Sequence, residues 1–404
     1  MNEVAQDSVR AQLDKLATST TFAQAPKLVL FLRYIIEAEL SGEAPRLNQY
    51  SIAIDVMGRG AEFDPTTDSG VRVEAGRLRA KLREYYDTEG SEDPIRFELP
   101  KGRYNPEIRR PAEQTPIAAP RLLKQTIRFC QAEDNTAIAY AVSGQEKPVL
   151  VKAANWLSHL EHDCSSPVWA HWWQGLSDRF KLVRYDERGC GLSDWEVGEF
   201  SFDTWINDLT DIIDAAQLDR FALLGISQGA AVAIAYAVAN PEKVSHLILY
   251  GGFIQGRLKR DPPQEAEATM LEELVSLGWG RPDPAFRRIF ASLFAPDAKP
   301  NELEAFDDLQ RVSTSPANAL RFVQIFNRID VTALASRVSV PTLVLHASDE
   351  AEIPMSQSRL MASMITNAQF VALNSRNHIL RADEPAWVNF LEEIETFVKT
   401  ASCR

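Results

Sequence analysis

The chain has 404 residues, 45% of them apolar and 25% charged, with 43 basic side chains against 56 acidic ones and four cysteines. This composition excludes a largely disordered protein, and the length predicts two or three domains of ordinary size. A net charge of −13 argues against a nucleic-acid binder taken as a whole, because phosphate contacts need clustered Lys and Arg.

Cys130, Cys164, Cys190 and Cys403 are scattered and form no Cys-x-x-Cys pair, so a reduced, cytoplasmic compartment is expected. Met1 to Asp7 lack the basic start and apolar run of a signal peptide. The charge is uneven: residues 1–110 hold 16 basic and 18 acidic side chains, and most of the acidity lies beyond them.

In chain order, Pro26 to Leu40 carries an apolar stripe at helical spacing through Leu28, Phe31, Leu32, Ile35 and Ile36. A short helix is expected at about 48–57, ending at Gly58. A third, capped by Asp68 or Ser69, runs to about Tyr86. On a helical wheel Val71, Ala75, Leu78, Leu82, Tyr85 and Tyr86 face a core. Val73, Gly76 and Ala80 form the opposite face, between one basic edge of Arg72, Arg79 and Arg83 and another of Arg77 and Lys81. Small side chains between two basic edges suit a helix laid in the major groove, its edges meeting the phosphate walls. Ile95 to Leu99 alternates as a half-buried strand does, Pro100 to Gly102 reads as a turn, and a second strand is expected from Arg103; Lys101 and Arg103 would lie on this hairpin.

Helix-turn-helix followed by hairpin is the order of a winged helix. Residues 8–108 resemble the OmpR-type response-regulator winged-helix family, through Val71-Arg-Val-Glu-Ala-Gly-Arg-Leu-Arg-Ala-Lys-Leu-Arg83 and Ile95-Arg-Phe-Glu-Leu-Pro-Lys-Gly-Arg-Tyr104. The resemblance implies binding of double-stranded DNA through Arg72, Val73, Arg77, Arg79, Lys81, Arg83, Lys101 and Arg103. A helix that docks on a protein partner is the alternative. Residues 111–123 read as a Pro-rich linker.

The uncharged stretch from Phe221 to Asn240 is long enough to raise a membrane span, but Gly225, Ser227, Gln228 and Gly229 interrupt it, and no membrane role is expected. Those residues instead form Gly-x-Ser-x-Gly between an apolar strand and an Ala-rich helix. This is the setting of a nucleophile elbow, which exposes Ser227 on a sharp turn while glycines let strand and helix approach. Such a serine needs a histidine base and an acid, in the order Ser, Asp or Glu, His. His378 follows the strand at 370–373. The loop after the strand at 340–346 offers three carboxylates as the acid, Asp349, Glu350 and Glu352.

From about 124 to 399 the chain resembles the α/β-hydrolase family, with Asp186-Glu-Arg-Gly-Cys-Gly-Leu-Ser193 as a second shared motif. The resemblance implies an α/β fold with a helical cap at about 255–335, and it favours Glu350, four residues before Pro354, as the acid. It also places the oxyanion hole at the backbone N–H groups of Trp156 and Gln228. His159, His162, Cys164 and His171 could suggest a metal site, but an amphipathic segment is the better reading, so no metal and no cofactor are expected. The tryptophans between 156 and 205 could wall a pocket or simply fill the core. The expected whole is an α/β-hydrolase domain (124–404) behind a winged helix (1–110). It would be a dimeric one-component regulator whose hydrolase domain binds, and hydrolyses, a small ester or lactone. The alternatives are an ordinary serine hydrolase with a docking or dimerisation module, and a non-catalytic receptor.

Overall fold

In the computed structural model the chain is described over residues 3–42, 47–60, 62–63, 68, 70–90, 93–100, 104–109, 123–144, 148–281 and 285–401. It divides into two units, Met1–Pro120 and Arg121–Arg404. Lys101, Arg103 and linker residues 111–122 lie outside the described residues.

The first unit comprises α1 (Glu3–Ala17), α2 (Pro26–Leu40), α3 (Gln49–Asp55), α4 (Gly70–Asp87), β1 (Arg96–Glu98) and β2 (Glu107–Arg109). Pro26 starts α2 at the position where a missing N–H is harmless, and Asn48 caps α3 through a reciprocal bond pair with Ser51. The expected stripes of α2 and α4 are buried, and Val9, Leu13 and Leu16 of α1 join them. No helix is expected over α1 from sequence, because three apolar contacts among polar neighbours give a weak period. Buried Asp93 ties the unit together by accepting from Lys15 Nζ at 2.6 Å and Tyr85 Oη at 2.6 Å.

The hairpin differs from expectation. β1 and β2 pair with Arg96 opposite Arg109 and Glu98 opposite Glu107, so the second strand begins at Glu107 rather than Arg103 and the connection spans 99–106, of which 101–103 lie outside the described residues. The Arg79 guanidinium explains the detour: Nε donates to Leu99 O at 2.7 Å and Nη2 to Pro100 O at 3.0 Å, drawing the strand's exit onto α4.

The second unit runs β3 (Gln125–Gln131), β4 (Ala137–Ser143), β5 (Val149–Ala153), α5 (Ala170–Ser177), β6 (Lys181–Tyr185), α6 (Phe202–Ala215), β7 (Phe221–Ile226), α7 (Gly229–Ala239) and β8 (Val244–Tyr250). It continues through α8 (Glu265–Gly278), α9 (Ala285–Phe294), α10 (Pro300–Ser313), α11 (Pro316–Phe326), α12 (Thr332–Ala335), β9 (Thr342–Ala347), α13 (Met355–Met364), β10 (Gln369–Leu373) and α14 (Pro385–Ala401). The sheet order is β10-β9-β8-β7-β5-β6-β4-β3, parallel from β10 to β6 and antiparallel at β4 and β3. Central β7 is buried at all six positions, as a strand covered on both faces must be. α8 to α11 are inserted between β8 and β9 as the expected cap. No helix of the described residues is long and apolar enough to cross a membrane.

Candidate active site

The site is built at the carboxyl ends of β7, β9 and β10. Between β7 and α7 the chain turns at Ser227, whose φ of +54° is a conformation that L residues rarely adopt. The surroundings enforce it. Ser227 N–H donates to Tyr250 O at 2.9 Å. A Cβ on Gly225 would lie 2.6 Å from Ala230 Cα, and one on Gly229 would lie 2.6 Å from Ala154 O.

β9 leads to Glu350 and β10 to His378. His378 Nδ1 meets Glu350 Oε2 at 2.5 Å, with both side chains at most 2% exposed. Burial pushes the imidazole pKa down, but the charge of Glu350 and its hydrogen bond outweigh burial and raise it above the ordinary 6.5. Tyr250 Oη donates to His378 O at 2.8 Å, and Phe294 of the cap packs edge-on to the ring at 5.5 Å. His378 Nε2 is buried and bonds no described atom, and His378 and Ser227 line the same pocket. Asp349 is exposed and its N–H donates to Ser375 O, so Glu350 is the carboxylate at the histidine.

Sequence reasoning missed His346. Its Nε2 lies 3.3 Å from Glu350 Oε1, and its Nδ1 lies 2.9 Å from Ser358 Oγ. Glu350 thus stands between two imidazoles. The carboxylate favours the tautomer with the proton on Nε2, since a lone pair there would face a negative oxygen. Burial lowers the pKa of His346, against the pull of Glu350, so a neutral ring supplies a dipole rather than a charge.

The oxyanion hole departs from expectation. Gln228 begins α7, and its backbone N–H has no partner among the described residues. The Trp156 N–H, however, donates to the side-chain oxygen of Gln228 itself at 3.1 Å. Gln228 Nε2 in turn donates to Glu187 Oε1 at 2.5 Å. Both expected donors are therefore adjacent, with the second one covered by an amide that a substrate oxygen must displace. Behind this amide lies a buried ionic cluster that sequence reasoning did not find. Burial raises the pKa of Glu187 and lowers that of Lys152, each opposed by the other's charge. Burial also raises Asp163 to about 7 against the pull of Arg184. Asp186 accepts from Ser158 Oγ, Leu160 N and Leu192 N, so the 186–193 motif braces the loop that carries Trp156.

The pocket holds about 660 Å³ of empty space, including its mouth. Trp156, Trp169, Phe253, Phe290, Phe306 and Phe326 give it an aromatic wall. Trp156 stacks on Trp279 at 5.1 Å, joining the oxyanion loop to the cap. Trp172, Trp173 and Trp205 are core residues, so the tryptophan cluster divides between wall and interior. His171 Nε2 lies 2.9 Å from Leu380 O, and no group of three or more His, Cys, Asp or Glu among the described residues could hold a metal ion.

In the first unit, Val73 is 48% exposed, and Gly76, Ala80, Arg72, Arg77 and Arg83 are exposed with it. Arg77 pairs with Glu74 at 2.7 Å and Lys81 with Glu84 at 2.8 Å, while Arg79 is committed to the hairpin.

Residues 160–385 match the family described as alpha/beta hydrolase fold. The chain is 27% identical to pyrrolizixenacetamide deacetylase of Xenorhabdus hominickii over 61% of this chain and 90% of the relative. It is 29% identical to the carbamate hydrolase RutD of Klebsiella pneumoniae over 50% of this chain and 76% of the relative. Among solved structures, an esterase of Exiguobacterium antarcticum superposes with a TM-score of 0.58 at 22% identity, covering 67% of this chain and 99% of its own. A hydrolase of Pseudomonas aeruginosa superposes with a TM-score of 0.55 at 21% identity, covering 69% and 98%.

Proposed function

The chain belongs to the alpha/beta hydrolase fold family and is an enzyme of the serine-hydrolase type, and on that premise we propose that it cleaves small, largely apolar esters or lactones as part of a DNA-binding regulator. The observation that carries the hydrolytic reading is the strained Ser227 elbow sharing one aromatic pocket with a His378 whose Nδ1 is held by Glu350. Ser227 Oγ attacks the substrate carbonyl while His378 Nε2 takes its proton. Glu350 holds the ring in the required tautomer and balances the imidazolium as it forms. The Gln228 N–H, and the Trp156 N–H once the Gln228 side chain has swung away, stabilise the oxyanion. His378 then returns the proton to the leaving oxygen, and water repeats the sequence on the acyl-enzyme. The relatives named for deacetylation, carbamate cleavage and ester cleavage act on the same kind of carbonyl centre. Labelling by a fluorophosphonate tests this: the native chain reacts and Ser227→Ala does not, and an unlabelled native chain overturns it.

For the first unit we propose a winged helix that reads double-stranded DNA through the Val73, Gly76 and Ala80 face of α4. What supports this is a small-residue face left exposed between Arg72 and Arg83 on one side and Arg77 on the other. Dimeric binding to paired half-sites follows the habit of such modules. The local pairing of Arg77 and Lys81 with glutamates supports the rival docking reading, since it withdraws two cations from phosphate. A gel shift on the protein's own promoter, with salt varied, decides. Arg72→Ala with Arg83→Ala should weaken binding and flatten its salt slope by about two charges. Binding insensitive to both excludes α4 as the reading helix.

A further inference from the structure

The pocket wall is largely aromatic and aliphatic, and away from Ser227, His378 and the oxyanion residues it carries one pair of opposite charges. Arg257, just beyond β8, and Glu352, two residues after the catalytic acid, both line the pocket and pair with each other, Nη2 to Oε1, at 2.7 Å. Their side chains are 14% and 9% exposed. Glu352 is close enough to His378 for its charge to help raise that imidazole. A buried ion pair is a poor source of stability, because desolvating both ions cancels most of their attraction, so its place beside a catalytic centre asks for a role. One guanidinium hydrogen and one carboxylate oxygen are used in the pair, no other side-chain hydrogen bond involves either residue among the described residues, and the Arg260 guanidinium is near enough to feel both charges. Trp156 and Trp169 line the same pocket with buried indole N–H groups that have no acceptor, and Asn155 does so with a buried amide oxygen that has no donor.

Resting on the hydrolytic reading above, we propose that Arg257 and Glu352 form a subsite for a neutral amide-type group, a carbonyl beside an N–H, carried on the apolar part of the substrate. The carbonyl accepts from the Arg257 guanidinium and the N–H donates to the Glu352 carboxylate. The charges of the pair cancel, as do those of Arg260 and Glu267, which act on the same cluster, and this balance sets the selectivity. A substrate carboxylate would meet Glu352 in a place with little water to screen the repulsion, and an ammonium would meet Arg257. A plain alkyl chain would strip water from both ions and return no hydrogen bond, which is how a polar subsite rejects an analogue lacking the polar group. The aromatic wall accepts the apolar remainder, and the unpartnered indole N–H groups favour a ligand rich in carbonyl oxygen.

The test compares p-nitrophenyl esters of three acids of matched length: acetamidohexanoic acid, nonanoic acid and the half-acid of octanedioic acid. The native enzyme should prefer the acetamido ester to the nonanoate by about tenfold or more in kcat/KM, mainly through KM, and should use the carboxylate ester least. In Arg257→Met and in Glu352→Gln the acetamido-to-nonanoate ratio should fall to about one, and Glu352→Gln should also relax the discrimination against carboxylate. Should a single variant leave an unpaired charge that unfolds the chain, Arg257→Met combined with Glu352→Leu removes both charges and must abolish the preference in the same way. A native ratio near one, or a preference for the carboxylate ester, overturns the subsite. If the native enzyme turns over none of the esters and Ser227 resists the fluorophosphonate, it is the hydrolytic reading that has failed. Calorimetric titration of the corresponding methyl esters into Ser227→Ala then decides the subsite alone, tighter binding of the acetamido ester supporting it and equal binding refuting it.

Discussion

Ser227 and His378 are legible in the sequence because each announces itself locally, one by glycines at fixed offsets and the other by standing after the last strand. For the acid the family resemblance favours Glu350, and the fold separates it from its neighbour Asp349, since only the turn after β9 sends one inward. His346 and the Gln228 side chain were not legible, because their roles depend on which way a loop folds back on a strand end. Glu350 carries the clearest prediction. In Glu350→Gln the carboxylate that does most to raise His378 is gone and burial is opposed only by the weaker pull of Glu352, so the pKa should fall. His378 works as a base only when neutral, so the acid limb of kcat/KM should lie above pH 6.5 in the native enzyme and move to lower pH in the variant. At the same time kcat should fall by about four orders of magnitude as the tautomer is lost. A limb that stays in place would show that Glu350 does not set this pKa. His346→Phe keeps the volume and deletes the polar ring whose Nε2 lies 3.3 Å from Glu350 Oε1. It should lower kcat about tenfold at nearly constant KM and move the limb upward, as Glu350 becomes more basic. An unchanged pH profile would reduce His346 to packing.

Among the elements, α2, α4 and β7 follow from periodicity and flanking residues. In the hairpin the first strand falls where it is expected, whereas the second begins at Glu107 rather than Arg103, and a cation on α4 holds the chain between them. Arg79 was read as a phosphate contact from its place on the wheel, yet it spends two donors on Leu99 and Pro100. A wheel gives the direction in which a side chain leaves the helix, and a long side chain can then lie along the surface to reach a neighbouring strand. Arg79→Ala should destabilise the first unit by about 1–3 kcal/mol, since two carbonyls lose charged donors. Urea unfolding followed by circular dichroism would measure this. Arg72→Ala, at an exposed position, should stay within about 0.5 kcal/mol of native. Equal stability of the two variants would mean that the Arg79 bonds contribute nothing net. In the second unit the buried Lys152, Asp163 and Glu187 break the apolar pattern expected of central strands and their exits. They could not be foreseen, because their partners arrive from strands and loops far apart in the chain.

At the scale of the whole molecule, dividing the charge by unit makes the overall acidity compatible with a DNA-binding segment, since residues 1–110 are nearly balanced. The order of strands has a further consequence. Ser227 stands on a central strand with neighbours on both sides, whereas His378 follows β10, which ends the sheet, pairs only with β9 and is partly exposed along its length. Edge elements open at lower free energy than central ones. Detachment of β10 would carry His378 away from Glu350 while the rest of the sheet stays paired. On heating, catalysis should therefore fail several degrees before the far-ultraviolet circular dichroism changes, and amides of 369–373 should exchange with deuterium faster than those of 221–226. Coincident loss of activity and secondary structure would show that the edge strand and the centre melt as one. The enzyme would otherwise pass, on warming, through a folded state that has lost its base but kept its nucleophile.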